Sequence, residues 1–176
     1  AITAKSYTFK DKQKKDSVYV ESQFDARSMK VTPRANKGKA VQVSMTGPRL
    51  KVGQRLNLID VTILNGSRTQ AWRAFWLFPK DGDKIAGFRL WDLTKATGSR
   101  PWGKLIKCKP QKGRFINGRK GLTIQMNIPR SCIDKPEKVR VNGKLWYVAT
   151  YNKKNGFPKK GWGDGVPSDS GFTKAL

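Results

Sequence analysis

The 176-residue chain contains no histidine, and acidic residues are scarce, with 12 Asp and Glu in total. Without imidazole, Ser-His-Asp and Cys-His nucleophilic mechanisms and histidine-liganded zinc sites are excluded. The chain also lacks a CxxC pair, a GxxxxGK[ST] loop and a strand-helix GxGxxG turn, which removes thioredoxin-like redox chemistry and the common nucleotide-binding loops. No run approaches the roughly 20 apolar residues of a membrane span. We therefore predict a non-enzymatic protein without a cofactor, and a carboxylate-pair glycan hydrolase is the one enzymatic alternative left open.

The residues that are abundant make the chain strongly basic. Lys and Arg number 37 against 12 Asp and Glu, so the formal net charge is 37 − 12 = +25. A charge of this size attracts polyanions. Hydrophobic residues make up 37% of the chain and include six Trp, which is more apolar material than a disordered basic tail contains. The length suits one hydrophobic core, so we predict a single folded domain over residues 1–176.

Short apolar runs with the period of a β-strand recur along the chain. Val41, Val43 and Met45 alternate with polar neighbours, as in a strand with one buried face. The segment 71–78, AWRAFWLF, is apolar on both faces and predicts a central strand. Further runs lie at 56–63, 85–91, 103–108, 121–128, 138–141 and 144–151. No segment keeps a helical apolar pattern for three turns without meeting Gly or Pro.

This pattern, punctuated by 17 Gly and 9 Pro, predicts an all-β fold. The expected architecture is a two-sheet antiparallel β-sandwich of the jelly-roll or carbohydrate-binding-module kind, with about seven to nine strands. A closed barrel is the alternative. From about residue 153 the tail is rich in Gly and Lys and is expected to form loops, which Trp162 and Phe172 could pin to the body.

Cys108 and Cys132 are the only cysteines. The segments around them look like neighbouring strands joined by a basic, Gly-rich connection, which favours a disulfide in an oxidising compartment over two separate thiols. The chain begins at Ala1 without a charged and apolar leader, as a secreted protein does after its signal peptide is removed. A shortened chain would look the same. We expect a secreted protein, extracellular or associated with the cell wall.

Two blocks of sequence resemble a group of small secreted β-sandwich proteins from Gram-positive actinobacteria. One block spans residues 25–50, and the other, IQMNIPRSCIDKPEKVRV, spans residues 124–141. The second has a Pro-Arg-x-Cys turn followed by a Lys-Pro-x-x-Val-Arg-Val strand, at Pro129, Arg130, Cys132, Lys135, Pro136, Val139, Arg140 and Val141, with Cys108 as the earlier cysteine. The fold of this group is similar to DOMON domains and family-nine carbohydrate-binding modules. The resemblance implies a sandwich, export and the disulfide, and it implies no catalytic residue.

Basic residues and aromatic rings are interleaved between residues 73 and 120. Exposed rings in a basic groove bind single-stranded nucleic acid by phosphate attraction and base stacking. The alternative is that the rings belong to the core and the cations to a solvated surface. The predicted ligand-binding residues are Arg100, Trp102, Lys104, Lys107, Lys109, Lys112, Arg114, Arg119, Lys120 and Trp162. We predict that the partner is an anionic polymer: a cell-wall polymer, nucleic acid or acidic glycan.

The tryptophans divide into two groups by their neighbours. Trp72, Trp76 and Trp146 are expected in the core, whereas Gly and Pro neighbours place Trp102 and Trp162 in loops, as exposed platforms or hydrophobic plugs. Loop tryptophans also build carbohydrate sites, so a lectin-like carbohydrate-binding module is the alternative function. A neutral glycan gains nothing from a positive field, which is why the anionic polymer is preferred.

A few acidic residues have spacings that a Ca²⁺ loop could use. They are Asp81 with Asp83, and Asp164 with Asp169, and neither segment matches an EF-hand. We interpret the first pair as a hairpin turn and the second as part of the loop-like tail, and we predict no metal site. Calcium binding at Asp164 and Asp169 is the alternative left open, because Ser and Gly of the tail could add ligands. Asp25 and Asp60 lie near the openings of predicted strands and are expected to make turn or cap hydrogen bonds.

Overall fold

A computed structural model describes residues 4–11, 26–49, 58–77, 87–109, 113–151, 158–168 and 170–176. These ranges contain eleven strands: β1 (Tyr7–Lys10), β2 (Ser28–Arg34), β3 (Ala40–Gly47), β4 (Leu58–Asn65), β5 (Ala71–Leu77), β6 (Gly87–Asp92), β7 (Lys104–Ile106), β8 (Arg114–Gly118), β9 (Gly121–Pro129), β10 (Val139–Tyr151) and β11 (Pro158–Val166). A single helical turn, Ala35–Gly38, joins β2 to β3. Short 3-10 turns follow β6 and β9, at Leu93–Lys95 and Arg130–Cys132.

The strands form two antiparallel sheets. Strands β1, β2, β3, β9 and β8 make a five-stranded sheet in that order, and β11, β10, β4, β5, β6 and β7 make a six-stranded sheet. The two sheets pack against each other around one hydrophobic core. The predicted all-β, two-sheet antiparallel sandwich is therefore confirmed. Strand β5, predicted to be central, lies between β4 and β6.

Two details of the prediction are wrong. The structure has eleven strands rather than seven to nine, because no run is predicted at β1, β2, β8 or β11, while the predicted runs 138–141 and 144–151 join into one strand, β10. Strands β1 and β8 are edge strands of only four and five residues. The tail expected to be loop-like from about residue 153 contains β11, which pairs with β10. Its alternate glycines carry no side chains that could reveal a strand period, whereas their backbone groups can pair like those of any strand.

The core is filled by alternate residues of the strands of both sheets. Ile59 and Leu145 of the six-stranded sheet and Val43 of the five-stranded sheet are almost completely buried. Trp72 is 1% exposed and Trp76 is 7% exposed, which confirms that both belong to the core. The core is thus continuous between the sheets, and ligand binding is left to the outer faces, the edges and the ends.

Glycine is required at two places where the sheets approach closely. A Cβ on Gly143 of β10 would lie 2.7 Å from the Met45 sulfur and 2.8 Å from the Met29 sulfur of the opposite sheet. A Cβ on Gly113, just before β8, would lie 1.7 Å from a ring carbon of Trp76. The Trp76 indole therefore reaches from β5 to the start of β8 and closes the core on that side.

The predicted disulfide between Cys108 and Cys132 is present, with Cα atoms 6.0 Å apart. Cys108 follows β7 of the six-stranded sheet, and Cys132 lies in the turn after β9 of the five-stranded sheet. The bridge therefore joins the two sheets on the side where β7 and β8 are the edge strands. Across the described ranges, no helix has the length and apolarity needed to cross a membrane.

Candidate binding surface

The outer face of the six-stranded sheet carries aromatic rings and charged side chains. Successive residues of a strand point to opposite faces, so the residues between the core positions point outward. One row across β10, β4, β5 and β6 contains Lys144, Asp60, Phe75 and Arg89. The next row contains Asn142, Thr62, Arg73, Trp91 and Leu105. We define the aromatic face as Asp60, Arg73, Phe75, Arg89, Trp91, Trp102, Lys144 and Trp146.

Asp60 organises the centre of this face. Its carboxylate is 2% exposed and accepts hydrogen bonds from Arg73 Nε at 2.9 Å and Arg73 Nη2 at 2.5 Å. The same carboxylate accepts a hydrogen bond from Trp146 Nε1 at 3.1 Å. Asp60 therefore forms an ion pair inside a strand rather than the expected turn or cap bond. Sequence reasoning missed this pair because Asp60 and Arg73 meet only through the register of β4 and β5.

Arg73 also positions Trp102. The guanidinium carbon lies 4.2 Å from the centroid of the Trp102 ring and 4.8 Å from that of Phe75. The Phe75 and Trp102 rings meet edge to face, with centroids 5.4 Å apart. Cation–π and edge-to-face contacts each contribute roughly 0.5–1.5 kcal/mol. Trp102, half-buried in a turn, is thus held against the sheet by Arg73 and Phe75.

Trp146 lies on this outer face, so its assignment to the core is wrong. Its neighbour Leu145 is the core residue, at 2% exposed, and Trp146 is half-buried. Lys144 Nζ lies 5.7 Å from the centroid of the Trp146 ring. On the neighbouring strand, Gly163 pairs with Trp146 and Gly165 pairs with Lys144. The positions of β11 that pair with Trp146 and Lys144 are therefore both glycine.

Two cations of the aromatic face have no carboxylate partner in the described part of the chain. Lys144 is half-buried beside Trp146, and the exposed Arg89 donates from Nη1 to its neighbouring carbonyl, Phe88 O, at 3.2 Å. Arg73, by contrast, is neutralised by Asp60. The positive charge available to a ligand on this face therefore comes from Lys144 and Arg89.

Most of the predicted basic residues lie along the side of the sandwich where β7 and β8 are the edge strands. Arg100, Lys104, Lys107 and Lys109 are exposed in and around β7, beyond Trp102. Arg114 is exposed on β8, and Arg119 and Lys120 are exposed in the turn between β8 and β9. We define these seven residues as the basic edge. The structure thus brings the predicted residues to one side of the molecule but distributes them over both sheets.

The remaining predicted positions lie wholly or partly outside the residues that the structure describes. Lys112, Asp25, Asp81, Asp83, Asp169 and the last residue of the predicted strand 71–78, Phe78, lie outside the described residues. Trp162, expected in a loop, is a β11 residue whose backbone pairs with Tyr147, and its side chain is outside the description. Its placement in a loop is therefore wrong, for the same reason that the tail was misread.

Asp60 and Asp164, the carboxylates buried among the described residues, do not form a pair of the kind that glycan hydrolysis needs. Asp60 points to the outer face of the six-stranded sheet, while Asp164 points toward the core opposite Leu145 and accepts a hydrogen bond from Ala26 N at 2.6 Å. The two carboxylates therefore lie on opposite sides of one sheet, whereas hydrolytic carboxylates must face each other across the substrate. Among the described residues, no three His, Cys, Asp or Glu side chains are grouped to hold a metal ion.

No family model, curated protein or solved structure matches the chain.

Proposed function

We propose that this chain is a non-enzymatic protein that binds an anionic polymer across its aromatic face and basic edge. The observation that carries the proposal is the arrangement around the Asp60–Arg73 ion pair. Trp102 and Trp146 are held on either side of it, and Lys144 and Arg89 beside them have no carboxylate partner among the described residues. Stacking surfaces and available cations thus occur together on one face.

The geometry suits a chain of repeating units better than a small molecule. Trp146 is on β10 and Phe75, which supports Trp102, is on β5, two strands away. A strand spacing of about 4.8 Å separates these positions by about 10 Å. A polymer that stacks on both rings would continue past Trp102 to the cations of the basic edge. Phosphate or other anionic groups of its backbone would be attracted there by the overall charge of +25.

A neutral glycan is the second candidate, and the glycines of β11 favour it. Gly163 and Gly165, opposite Trp146 and Lys144, leave a flat shelf beside the indole. A sugar ring could lie on that shelf with its apolar face on Trp146. Binding of this kind depends on stacking and hydrogen bonds rather than on net charge, so salt distinguishes the two candidates.

The proposed location is outside the cytosol, at or near the cell wall. The Cys108–Cys132 disulfide supports this location because disulfides persist in oxidising compartments. Anionic wall polymers are abundant ligands for a basic protein there.

The test is a binding titration at several salt concentrations against an oligothymidylate, an anionic wall polymer and a neutral β-glucan. Engagement of about five phosphates of a single strand gives a slope of log K against log salt near −3.5, since each contributes about −0.7. Lys144→Gln with Arg89→Gln should flatten that slope by about 1.4. Trp146→Ala should weaken binding by roughly 1–3 kcal/mol and leave the slope unchanged. Lys107→Gln with Lys109→Gln tests whether the polymer also follows the basic edge.

The matched control is Lys10→Gln with Lys30→Gln. Both lysines are exposed on the five-stranded sheet, so the control removes the same charge from the opposite side of the molecule. An equal change of slope in the control and in the Lys144 and Arg89 variant would contradict a site on the aromatic face. Salt-independent binding to the β-glucan alone would replace the anionic polymer by the second candidate. Absence of binding to all three polymers would refute both.

A further inference from the structure

One end of the sandwich holds a pocket of about 830 Å³ that shares no lining residue with the aromatic face or the basic edge. It lies where the turn between β2 and β3 meets the connection from β9 to β10. Its charged and polar lining includes Arg34, Lys39, Arg130, Ser131, Lys135 and Glu137. We call it the Arg130 pocket. Pockets of roughly 300–1,000 Å³ accommodate small organic ligands.

Arg130 is the buried charged group of this pocket, with only 4% of its surface exposed. Its Nη1 donates to Pro33 O at 2.9 Å, and its Nη2 donates to Pro136 O. These bonds use two of the five N–H donors of a guanidinium. Within the described chain the other three have no protein acceptor. The carbonyl bonds orient the guanidinium, and the remaining donors are left for a ligand.

The charge of the pocket is not balanced by the protein. Arg34, Lys39, Arg130 and Lys135 contribute four positive charges and Glu137 one negative charge, so the lining carries 4 − 1 = +3. No described carboxylate forms an ion pair with Arg130. Burial and, secondarily, the positive charge of Arg34 lower the pKa of the Arg130 guanidinium. A buried cation without a counter-charge is destabilising, and a bound anion would remove that penalty.

The two turns that form the pocket hold these cations by backbone hydrogen bonds. Arg130 N donates to Lys39 O at 2.9 Å, and Lys135 N donates to Arg130 O at 3.0 Å. Four residues of these turns have positive φ, namely Asn36, Lys37, Asp134 and Lys135, at 53°, 57°, 53° and 46°. Non-glycine residues rarely adopt this conformation, because Cβ crowds the backbone. Of these four residues Lys135 lines the pocket, so its unfavourable backbone conformation persists at the pocket itself.

We propose that the Arg130 pocket binds the phosphate group of a phosphorylated small molecule or chain end. A phosphate monoester carries close to two negative charges at neutral pH and three strong acceptor oxygens. Guanidinium groups match those oxygens in geometry and bind them by charge-assisted hydrogen bonds. The pocket is larger than a phosphate, so it has room for a sugar-sized group attached to it. This site is separate from the polymer-binding surface proposed above.

The experiment is a calorimetric titration of the full chain with inorganic phosphate in a phosphate-free buffer of low ionic strength. We expect one phosphate to bind per chain. Lys39→Gln with Lys135→Gln should weaken this binding at least about tenfold, since each removes one charge-assisted contact. Arg130→Lys keeps the charge but loses the planar donor set, and it should also weaken binding. The Nε–H resonance of Arg130 in the wild-type chain should shift during the titration.

The control and the ligand series give the test its specificity. Lys10→Gln with Lys30→Gln removes the same charge elsewhere and should change phosphate affinity less than about twofold. Glucose 6-phosphate and dimethyl phosphate distinguish the source of the group. Tighter binding of the monoester supports a small molecule or chain end, whereas equal binding of the diester would contradict that source and indicate a polymer backbone.

Three results would overturn the phosphate site itself. They are equal loss of affinity in the pocket variant and the control, no phosphate binding to the wild-type chain, and an unchanged Arg130 Nε–H resonance at saturation. Lys39 and Lys135 are exposed, so their replacement tests the pocket even where Arg130→Lys does not fold. The Arg130 pocket and the aromatic face have no residue in common. Absence of phosphate binding at the pocket would therefore not count against polymer binding at the aromatic face. Absence of polymer binding would likewise not count against the phosphate site.

Discussion

The outer faces of the two sheets differ although both cover the same core. On the five-stranded sheet most outward residues of β2, β3 and β9 are polar and uncharged: Ser28 Oγ and Thr46 Oγ1 are hydrogen-bonded at 2.5 Å, and Gln42 Nε2 donates to Asn127 Oδ1 at 3.0 Å. Lys10, Lys30 and Arg114 add exposed charges on β1, β2 and β8. On the six-stranded sheet the outward residues are the rings and charges of the aromatic face. Both faces belong to antiparallel sheets.

The difference shows what folding requires of an outer face and what it does not. Hydroxyl and amide pairs across strands satisfy one another or water, so the face of the five-stranded sheet suffices for a stable sheet. Partly exposed indoles on the other face leave apolar surface in water, and contiguous surface of this kind marks sites of interaction. Asp60 and Arg73 are used to hold two of these indoles in place. The comparison therefore favours the assignment of support to one face and of the proposed binding to the other.

The largest expected loss of stability is for a substitution in the core between the two sheets. Trp76→Ala should lower the free energy of unfolding by about 3–5 kcal/mol, because it removes a buried indole and leaves a cavity. Thermal or denaturant unfolding measures it. Trp102→Ala on the aromatic face is the control and should have a smaller effect, since that ring is half-buried. A near-zero effect of Trp76→Ala would contradict the burial of its ring.

The next effect concerns the bond that joins the two sheets. Cys108→Ala with Cys132→Ala should lower the free energy of unfolding by about 3 kcal/mol, as the chain-entropy model gives for a closed loop of about 25 residues. Denaturant unfolding measures the loss. Alkylation of the unreduced protein, followed by intact mass, should show no modified thiol. Two alkylated cysteines would show that the bridge does not form and would remove the support for an extracellular location.

A smaller effect on stability is expected at the Asp60–Arg73 ion pair of the aromatic face. Asp60→Asn removes the charge that pairs with Arg73 and should lower the free energy of unfolding by about 2 kcal/mol. That value lies between the 0–1 kcal/mol of exposed pairs and the 3–5 kcal/mol of fully buried ones, because Arg73 is 24% exposed. Trp102 fluorescence should also change as its support loosens. If Asp60→Asn and Arg73→Gln were additive in a double-mutant cycle, the ion pair would contribute nothing.

The smallest effect is expected on the five-stranded face. Gln42→Ala removes one amide hydrogen bond at a half-buried position and should lower the free energy of unfolding by about 1 kcal/mol or less. Affinity for the anionic polymer should be unchanged, and a binding titration beside the unfolding curve checks both. Loss of polymer affinity in this variant would break the assignment of support to one face and binding to the other.

Much of the architecture is visible in local patterns. Alternation at Val41, Val43 and Met45 predicts a half-buried strand, and the doubly apolar segment 71–77 predicts a central one, because side-chain period and burial are properties of a few neighbouring residues. The short edge strands β1 and β8, strand β2 and the glycine-rich β11 escaped prediction. Their residues form strands through pairing with a neighbour, which is not a local property.

The features of the candidate sites likewise divide into those that can be read from the sequence and those that packing decides. Net charge and the interleaving of rings with basic residues are read directly from the chain, and they predict the anionic partner that we propose. That Trp146 points outward was decided by the opposite sheet, because Leu145 and Trp146 are both apolar and alternation alone does not say which one is covered.

The sequence by itself determined the strand-rich composition, the disulfide partners and the positive charge. Only the tertiary structure decided that Asp60 meets Arg73 and Trp146, and that Arg130 is buried beside Arg34, Lys39 and Lys135. The reason is physical: each of these groups owes its environment to strands and turns far away in sequence. Charge and side-chain period belong to a segment, whereas burial and ion pairing belong to the packing of segments against one another.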